Sequence, residues 1–286
     1  MKVALARRPF REEVELSILG LGGMVLVGME QNGANTLVSE TIDRGVNYFD
    51  VAPFYGEGEA ELKLGEALAP YRSKVFLACK TLQRTADGAR SELERSLQRL
   101  RTDHIDLYQF HAVVELEEVK QIFSPGGAVE AFNNARREGK IRFIGFSAHS
   151  VEAALAMLEQ FSFDSVLFPV NYICYAQGHF GPQVLQKAKR LGVARLALKS
   201  MAYGRKRGRE DGRFPNCWYR PIEDRALARE ALRFTLSEDV TAAIPPGDER
   251  LFRMALALAA DLPPLTPAER TLLLKSTRGL SPLLRR

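Results

Sequence analysis

The chain has 286 residues, of which 46% are hydrophobic and 26% charged, the proportions of an ordinary folded protein, which exclude a disordered or fibrous class. A formal net charge of +5 and a pI near 9.1 favour anionic small molecules only weakly and make no case for nucleic acid. Three widely spaced cysteines, Cys79, Cys174 and Cys217, form no C-x-x-C pair, so no metal site or redox dithiol is expected and the thiols read as reduced in a cytoplasmic protein.

At the N-terminus, MKVALARRPFREEVELS is charged throughout, which does not fit a signal peptide, and no run of about 18 apolar residues follows that would span a membrane. Short apolar runs then alternate with longer amphipathic segments about eight times. Strands are expected at residues 18–21, 46–49, 75–79, 105–110, 143–146, 165–170, 194–198 and 240–244, with helices between them. Gly45, Gly139 and Gly192 each stand between an amphipathic segment and the next strand, where a helix C-terminus favours a residue tolerant of positive φ. Ser150, ahead of VEAALAMLEQF, is a natural N-cap. Eight βα units most economically close into a (β/α)8 barrel, one domain over 1–286 with its core at about 10–260 and a short tail after Leu262. The alternative, a doubly wound sheet, usually carries G-x-G-x-x-G after its first strand, and LGLGGMVLVG does not fit that spacing. The longest connection, about 200–223, reads as a flap on the working face.

Asp50, Tyr55, Lys80 and His111 each follow a different strand-like run, at the end of a parallel strand where barrel chemistry sits. Singly, each has a bland reading: a turn acceptor, an aromatic plug, a solvated strand end, a packed ring. Together they make a proton-delivery site. A phenol with a pKa near 10 needs tuning by its surroundings to work at neutral pH. A lysine ammonium beside it is expected to lower that pKa, an aspartate to hold the ammonium charged, and a histidine to hydrogen-bond a carbonyl.

From about residue 10 to 260 the chain resembles the aldo-keto reductases. Their Asp-x-Ala-x-x-Tyr-Gly motif is matched by Asp50, Ala52, Tyr55 and Gly56, followed by GEGEAELKLGEAL; LACKT matches their lysine strand at Lys80. RLRTDHIDLYQFH resembles the stretch ending at their histidine, here His111, and KIRFIGFSAHS their fifth-strand motif. The resemblance implies hydride transfer between NADPH, with NADH as second choice, and a small aldehyde or ketone. It makes Tyr55 the general acid, Asp50 and Lys80 its tuning groups and His111 the carbonyl-orienting group. It also implies cofactor contacts from Gly23 and Met24, from Ser147 and Asn171 on the carboxamide, and from Lys199, Ser200, Met201 and Gly204 along the ring and pyrophosphate. Gly247 and Arg250, in IPPGDER, would lie near the adenosine end. No metal, nucleic-acid or membrane partner is implied. Three positions depart from the family pattern: Leu167 replaces a frequent glutamine, Lys199 the ring-stacking tyrosine, and Pro246 a phosphate-binding lysine. On the flap, Arg205, Lys206, Arg207 and Arg209 form either a solvated run or a clasp on the cofactor's phosphates. Trp218 and Tyr219 either anchor the flap or wall an apolar pocket. Two other readings are a cofactor-binding regulatory subunit and a Schiff-base aldolase using Lys80.

Overall fold

Alternating apolar and amphipathic segments become alternating strands and helices in the protein, seen in a computed structural model that describes residues 5–11, 13–206 and 212–286. The strands are β1 (Arg7–Arg11), β2 (Val14–Ser17), β3 (Leu21–Gly22), β4 (Tyr48–Asp50), β5 (Phe76–Thr81), β6 (Ile105–Val113), β7 (Ile141–Ala148), β8 (Ser165–Pro169), β9 (Ala194–Leu198), β10 (Ala202–Arg205), β11 (Tyr219–Pro221) and β12 (Ala242–Ala243). The helices are α1 (Gln31–Asp43), α2 (Glu59–Leu68), α3 (Ala86–Arg99), α4 (Leu116–Phe123), α5 (Ala128–Arg137), α6 (Val151–Gln160), α7 (Tyr172–Gly178), α8 (Pro182–Arg190), α9 (Arg225–Ser237), α10 (Glu249–Ala259) and α11 (Pro267–Ser276). The central sheet runs β12-β9-β8-β7-β6-β5-β4-β3, with every neighbouring pair parallel.

The two ends of that sheet meet. Leu19 bridges Ala243 in parallel, the Gly20 N–H donates to the Ala243 carbonyl at 3.0 Å, and the Ala243 N–H donates to the Ile18 carbonyl at 2.9 Å. This is the (β/α)8 barrel the alternation predicts, and a strand order that never reverses has no switch point for a doubly wound sheet. The closing strands are short where the sequence suggests longer ones. Residues 18–20 form only the seam, β3 is shifted to Leu21–Gly22, and β12 covers two of the five expected residues. Glycine is a weak strand former, and LGLGG spends three at this seam. A Cβ on Gly20 would lie 2.4 Å from the Tyr48 ring, so the glycine makes room for a tyrosine inside the barrel.

Alternate residues of each strand face the axis. The lower interior is apolar: Tyr48, Phe76, Leu107, Phe143, Leu167, Leu196 and Ile244 form one cluster. An antiparallel hairpin of β1 and β2, inside the charged N-terminal segment that gives no strand signal, seals the end where the strands begin. Phe10 meets the rings of Phe76 at 5.0 Å and Phe143 at 5.4 Å, while Arg8 donates to the Val240 carbonyl at 2.6 Å. The other faces of the strands pack on the helices as a second, larger apolar core.

Helix ends follow the expected chemistry. Gly45, Gly139 and Gly192 have φ of 89°, 75° and 67°, and the Ser150 hydroxyl accepts from the Ala153 N–H at the start of α6. The segment after Leu262 is more than a tail. It carries α11, which the buried Arg233 staples to α9 through the Pro263 and Pro264 carbonyls and Glu269, and its end returns to α7, where the Arg286 N–H donates to the Gly178 carbonyl.

Candidate active site

The same period-two rule that keeps the barrel floor apolar puts polar groups at its mouth. Tyr48 then Asp50 on β4, Phe76 then Ala78 then Lys80 on β5, and Leu107 then Gln109 then His111 on β6 share the inward face, with Asp50 registered opposite Ala78 and Lys80 opposite Gln109. Tyr55 comes from the turn after β4, where its N–H donates to the Ala52 carbonyl at 3.0 Å.

Lys80 and Asp50 are each 1% exposed, so their charges survive only if fully paired. The Lys80 ammonium donates to the Asp50 carboxylate, to the Val51 carbonyl at 3.1 Å and to the Tyr55 hydroxyl at 3.3 Å. All three of its donors are used. The second carboxylate oxygen of Asp50 accepts from the Tyr48 hydroxyl at 3.3 Å and the Gln109 amide at 3.1 Å. Burial works against the Lys80 ammonium, but Asp50 and Tyr55 outweigh it and hold its pKa above the ordinary lysine value.

Tyr55 departs from expectation. Burial raises its pKa above 10.0, and the attraction of Lys80 offsets only part of that rise, with Asp50 adding to it. The expected lowering by lysine is therefore present but loses to desolvation, and Tyr55 is a neutral phenol at physiological pH. Its ring meets the His111 ring edge-on, with centroids 5.8 Å apart. Burial, then the charge of Lys80, pushes His111 well below 6.5, so the imidazole is neutral. A register shift between Phe110 and Val113 and a left-handed Ala112, φ 52°, bulge β6 at His111. The Ala112 N–H donates to the Ser147 hydroxyl at 2.7 Å and Arg84 donates to the His111 carbonyl at 2.7 Å, pinning the bulge from both sides.

These groups open into a cavity of about 420 Å³ that Met24, Ser147, Lys199 and Gly247 also line. Gly23, Asn171, Ser200, Met201, Gly204 and Arg250 lie outside its wall. Asn171 caps α7 by accepting from the Ile173 and Cys174 N–H groups, while its amide donates to the Lys199 and Ala202 carbonyls at 3.0 and 2.7 Å. Ser200 and Met201 are buried, Gly23 sits in the turn after β3, and Gly204 faces the Gly279–Ser281 stretch. Arg250 is paired with Asp248 at 2.9 Å and donates to the Arg213 carbonyl at 2.6 Å. Leu167 lies on the cavity wall as bare hydrocarbon.

The flap is anchored by a β10–β11 hairpin. It reaches across the mouth, where the Asn216 amide donates to the Met24 and Val27 carbonyls at 3.1 and 3.0 Å. Trp218, 55% exposed, and the buried Tyr219 both line the cavity, so the aromatic pair walls the pocket as well as anchoring the flap. Lys206 donates to the Phe214 carbonyl at 3.2 Å; Arg205 is exposed, and Arg207 and Arg209 lie outside the described residues. Gln109, Tyr48, Arg84, His149 and Asn216 belong to the site without having been singled out. Tyr48 and Gln109 share the strand parity of Asp50 and Lys80, which would have found them; nothing local in the sequence marks Asn216.

A closed (β/α)8 barrel thus brings an aspartate, a lysine, a phenol and an imidazole together at the C-terminal ends of its strands, where they open into one cavity. The chain belongs to the aldo/keto reductase family, whose family model matches residues 18–242. It is 38% identical over 159 residues to the aldo-keto reductase YhdN of Bacillus subtilis, covering 49% of this chain and 45% of that protein, and 34% identical over 148 residues to the uncharacterized oxidoreductase YqkF of the same organism, covering 48% and 46%. The chain thus spans about half the length of these curated relatives. In fold it is similar to the holo form of aldo-keto reductase AKR11C1 from Bacillus halodurans, with a TM-score of 0.77 at 22% identity over 97% of this chain and 98% of that one. It is also similar to an aldo/keto reductase from Klebsiella pneumoniae solved with NADP and acetate, with a TM-score of 0.72 at 22% identity over the whole of both chains.

Proposed function

We propose that the protein is an NAD(P)H-dependent carbonyl reductase, working on a small aldehyde or ketone or on the alcohol in reverse. The observation that carries this reading is the Lys80 ammonium bonded at once to Asp50, Val51 and Tyr55 beside a neutral His111. In it, Tyr55 gives its phenolic proton to the carbonyl oxygen as that oxygen gains negative charge. The phenolate left behind is stabilised by Lys80, whose own charge Asp50 fixes. His111, a neutral imidazole with one donor to offer, orients the carbonyl.

The chain's residues fit a nicotinamide cofactor. The cavity adjoining Tyr55 is large enough for a ring, and its wall holds His111 and His149, each with a buried ring nitrogen that has no hydrogen-bond partner among the described residues. When bound, the cofactor supplies the hydride. NADPH is the proposed form, as in the Klebsiella pneumoniae relative solved with NADP, with NADH the second choice. Met24, Ser147 and Gly247 are the wall residues proposed to contact it. The contacts of Lys80 argue against an amine nucleophile there, because an ammonium with three acceptors and a raised pKa has no free lone pair to attack a carbonyl.

Tyr55→Phe tests the reading. The variant should bind NADPH within about threefold of wild type while reduction falls by two or more orders of magnitude, the scale of a lost general acid. Undiminished turnover in Tyr55→Phe would defeat it.

A further inference from the structure

Asp50, Lys80 and Lys199 are the charged side chains that line the cavity among the described residues. The first two cancel in a buried pair. The Lys199 ammonium has neither a hydrogen bond nor an ion pair among the described residues; it stands 4.8 Å from the Trp218 ring centre and 4.6 Å from that of Tyr219. Two aromatic faces attract a cation and hold it, but they accept no N–H in the way an oxygen does and leave its charge uncancelled. The backbone is held as well: φ at Lys199 is 63°, and the Asn171 amide donates to its carbonyl at 3.0 Å. The cavity therefore carries one uncompensated positive charge at a fixed place on its wall.

The strand order says what that charge faces. Around the barrel β7 is followed by β8, β9 and β12, and β12 closes on the seam before β3. Ser147 lies near the end of β7, Lys199 directly follows β9, Gly247 follows β12 and Met24 follows β3. A cofactor whose nicotinamide end reaches from Met24 and Gly247 to Ser147 must pass the end of β9, at Lys199. Leu167, Leu198 and Ile244 line the same stretch with hydrocarbon, which suits a flat ring and screens a charge poorly. The nicotinamide ring is neutral in the reduced cofactor and carries one positive charge in the oxidised form.

We propose that Lys199, framed by Trp218 and Tyr219, makes the site discriminate between the two redox forms of its cofactor: the ammonium repels the oxidised ring and not the reduced one, so the site takes up NADPH and releases NADP+. This inference rests on the carbonyl reductase reading. Burial lowers the Lys199 pKa to about 8, with Cys217 opposing the fall and Lys80 adding to it. The other groups around it hold one charge state across that pH. Lys80 is kept above the ordinary lysine value and paired with Asp50. Burial raises Cys217, Tyr219 and Tyr55, and lowers His149 to about 4 and His111 well below 6.5. The discrimination is thus present at neutral pH and fades as pH rises past about 8.

Calorimetric titration of NADPH and of NADP+ into the protein, with no carbonyl or alcohol present, tests this without turnover. The readout is the ratio of the two Kd values, NADP+ over NADPH, in which the phosphates and the adenosine, common to both forms, cancel. At neutral pH the wild-type ratio should exceed that of Lys199→Met by roughly tenfold or more, the scale of two unit charges facing each other in a partly buried site. Lys199→Arg should keep the wild-type ratio. From neutral pH to about pH 10 the ratio should fall in wild type towards the Lys199→Met value and hold steady in Lys199→Arg, whose guanidinium stays charged. Equal ratios in wild type and Lys199→Met would overturn the proposal. So would a Lys199→Met protein that loses affinity for both forms by the same factor, because the ammonium would then serve a phosphate or the carboxamide. The pH series needs no variant, and a wild-type ratio that stays flat across it overturns the proposal as well. If wild type binds neither form, it is the cofactor reading that has failed, and this inference falls with it.

Discussion

Replacing Lys80 with methionine keeps the length of the side chain and removes the ammonium. Asp50 would then be a carboxylate in a site 1% exposed, left among the described residues with the Tyr48 hydroxyl and the Gln109 amide as its side-chain partners. Breaking a buried pair from one side costs about 3–5 kcal/mol, because the surviving charge is stranded away from water. For a chain of this length each kcal/mol lowers the melting temperature by roughly 2–4 °C, so a fall on the order of 10 °C is expected. Asp50→Asn strands the ammonium instead and should cost a similar amount. The double variant Lys80→Met with Asp50→Asn leaves no charge, and its asparagine still bonds Tyr48 and Gln109, so it should cost less than either single change. Urea unfolding of the four proteins measures the coupling between the two sites, about 3 kcal/mol if the pair is what the geometry describes. A Lys80→Met protein that unfolds at the wild-type midpoint, or a double variant as unstable as the two single changes added together, would mean that the two charges are not coupled as the geometry describes.

The pH dependence of catalysis follows from the phenol. With Tyr55 raised above 10.0, carbonyl reduction should hold its rate through neutral pH and fall only above the ordinary tyrosine range, while alcohol oxidation, which needs the phenolate, should climb there; a reduction rate already halved near pH 8 would contradict this. His149 is held at about 4 against an ordinary 6.5, by burial and by the charge of Lys199. The unfolded chain therefore takes up that proton first, and stability should drain away as pH falls from 6.5 towards 4. That gap is worth roughly 3 kcal/mol at most and about 2 after allowing for solvent in the cavity. His149→Phe should remove that share of the acid sensitivity in urea midpoints taken at neutral and acid pH, and identical slopes in the two proteins would argue against it. Asn216→Ala deletes the two bonds that tie the flap to the loop after β3, worth about 0.5–1.5 kcal/mol each. Hydrogen exchange should quicken in β10 and β11 and stay unchanged in β5 to β8.

The parts of the fold written in local pattern were readable from sequence. Runs such as KVFLACKT and HIDLYQFH give both the strand and the parity of its residues, so Lys80 and His111 fall on the same face by counting in twos. The glycines at 45, 139 and 192 and the serine at 150 mark helix ends because each satisfies a local backbone demand. What the sequence hides is set by distant contacts. The β1–β2 hairpin is held by Phe10 on Phe76 and Phe143, partners more than sixty positions away, and its charged residues mask the signal. Asn171 places its amide on the carbonyls of Lys199 and Ala202, 28 and 31 residues on, which no local rule anticipates. The lowering of the Tyr55 pKa by Lys80 is legible in the motif order, whereas the burial that outweighs it depends on the closed barrel.

The most direct test of the proposed activity is to mix the purified protein with NADPH and a panel of aldehydes and ketones, and to follow cofactor oxidation alongside the alcohol formed. NADPH should be consumed one for one with alcohol produced, for at least one carbonyl compound on the panel. NADPH that binds tightly but is never oxidised by any of them would contradict the reductase reading and leave a protein that holds the cofactor without using it.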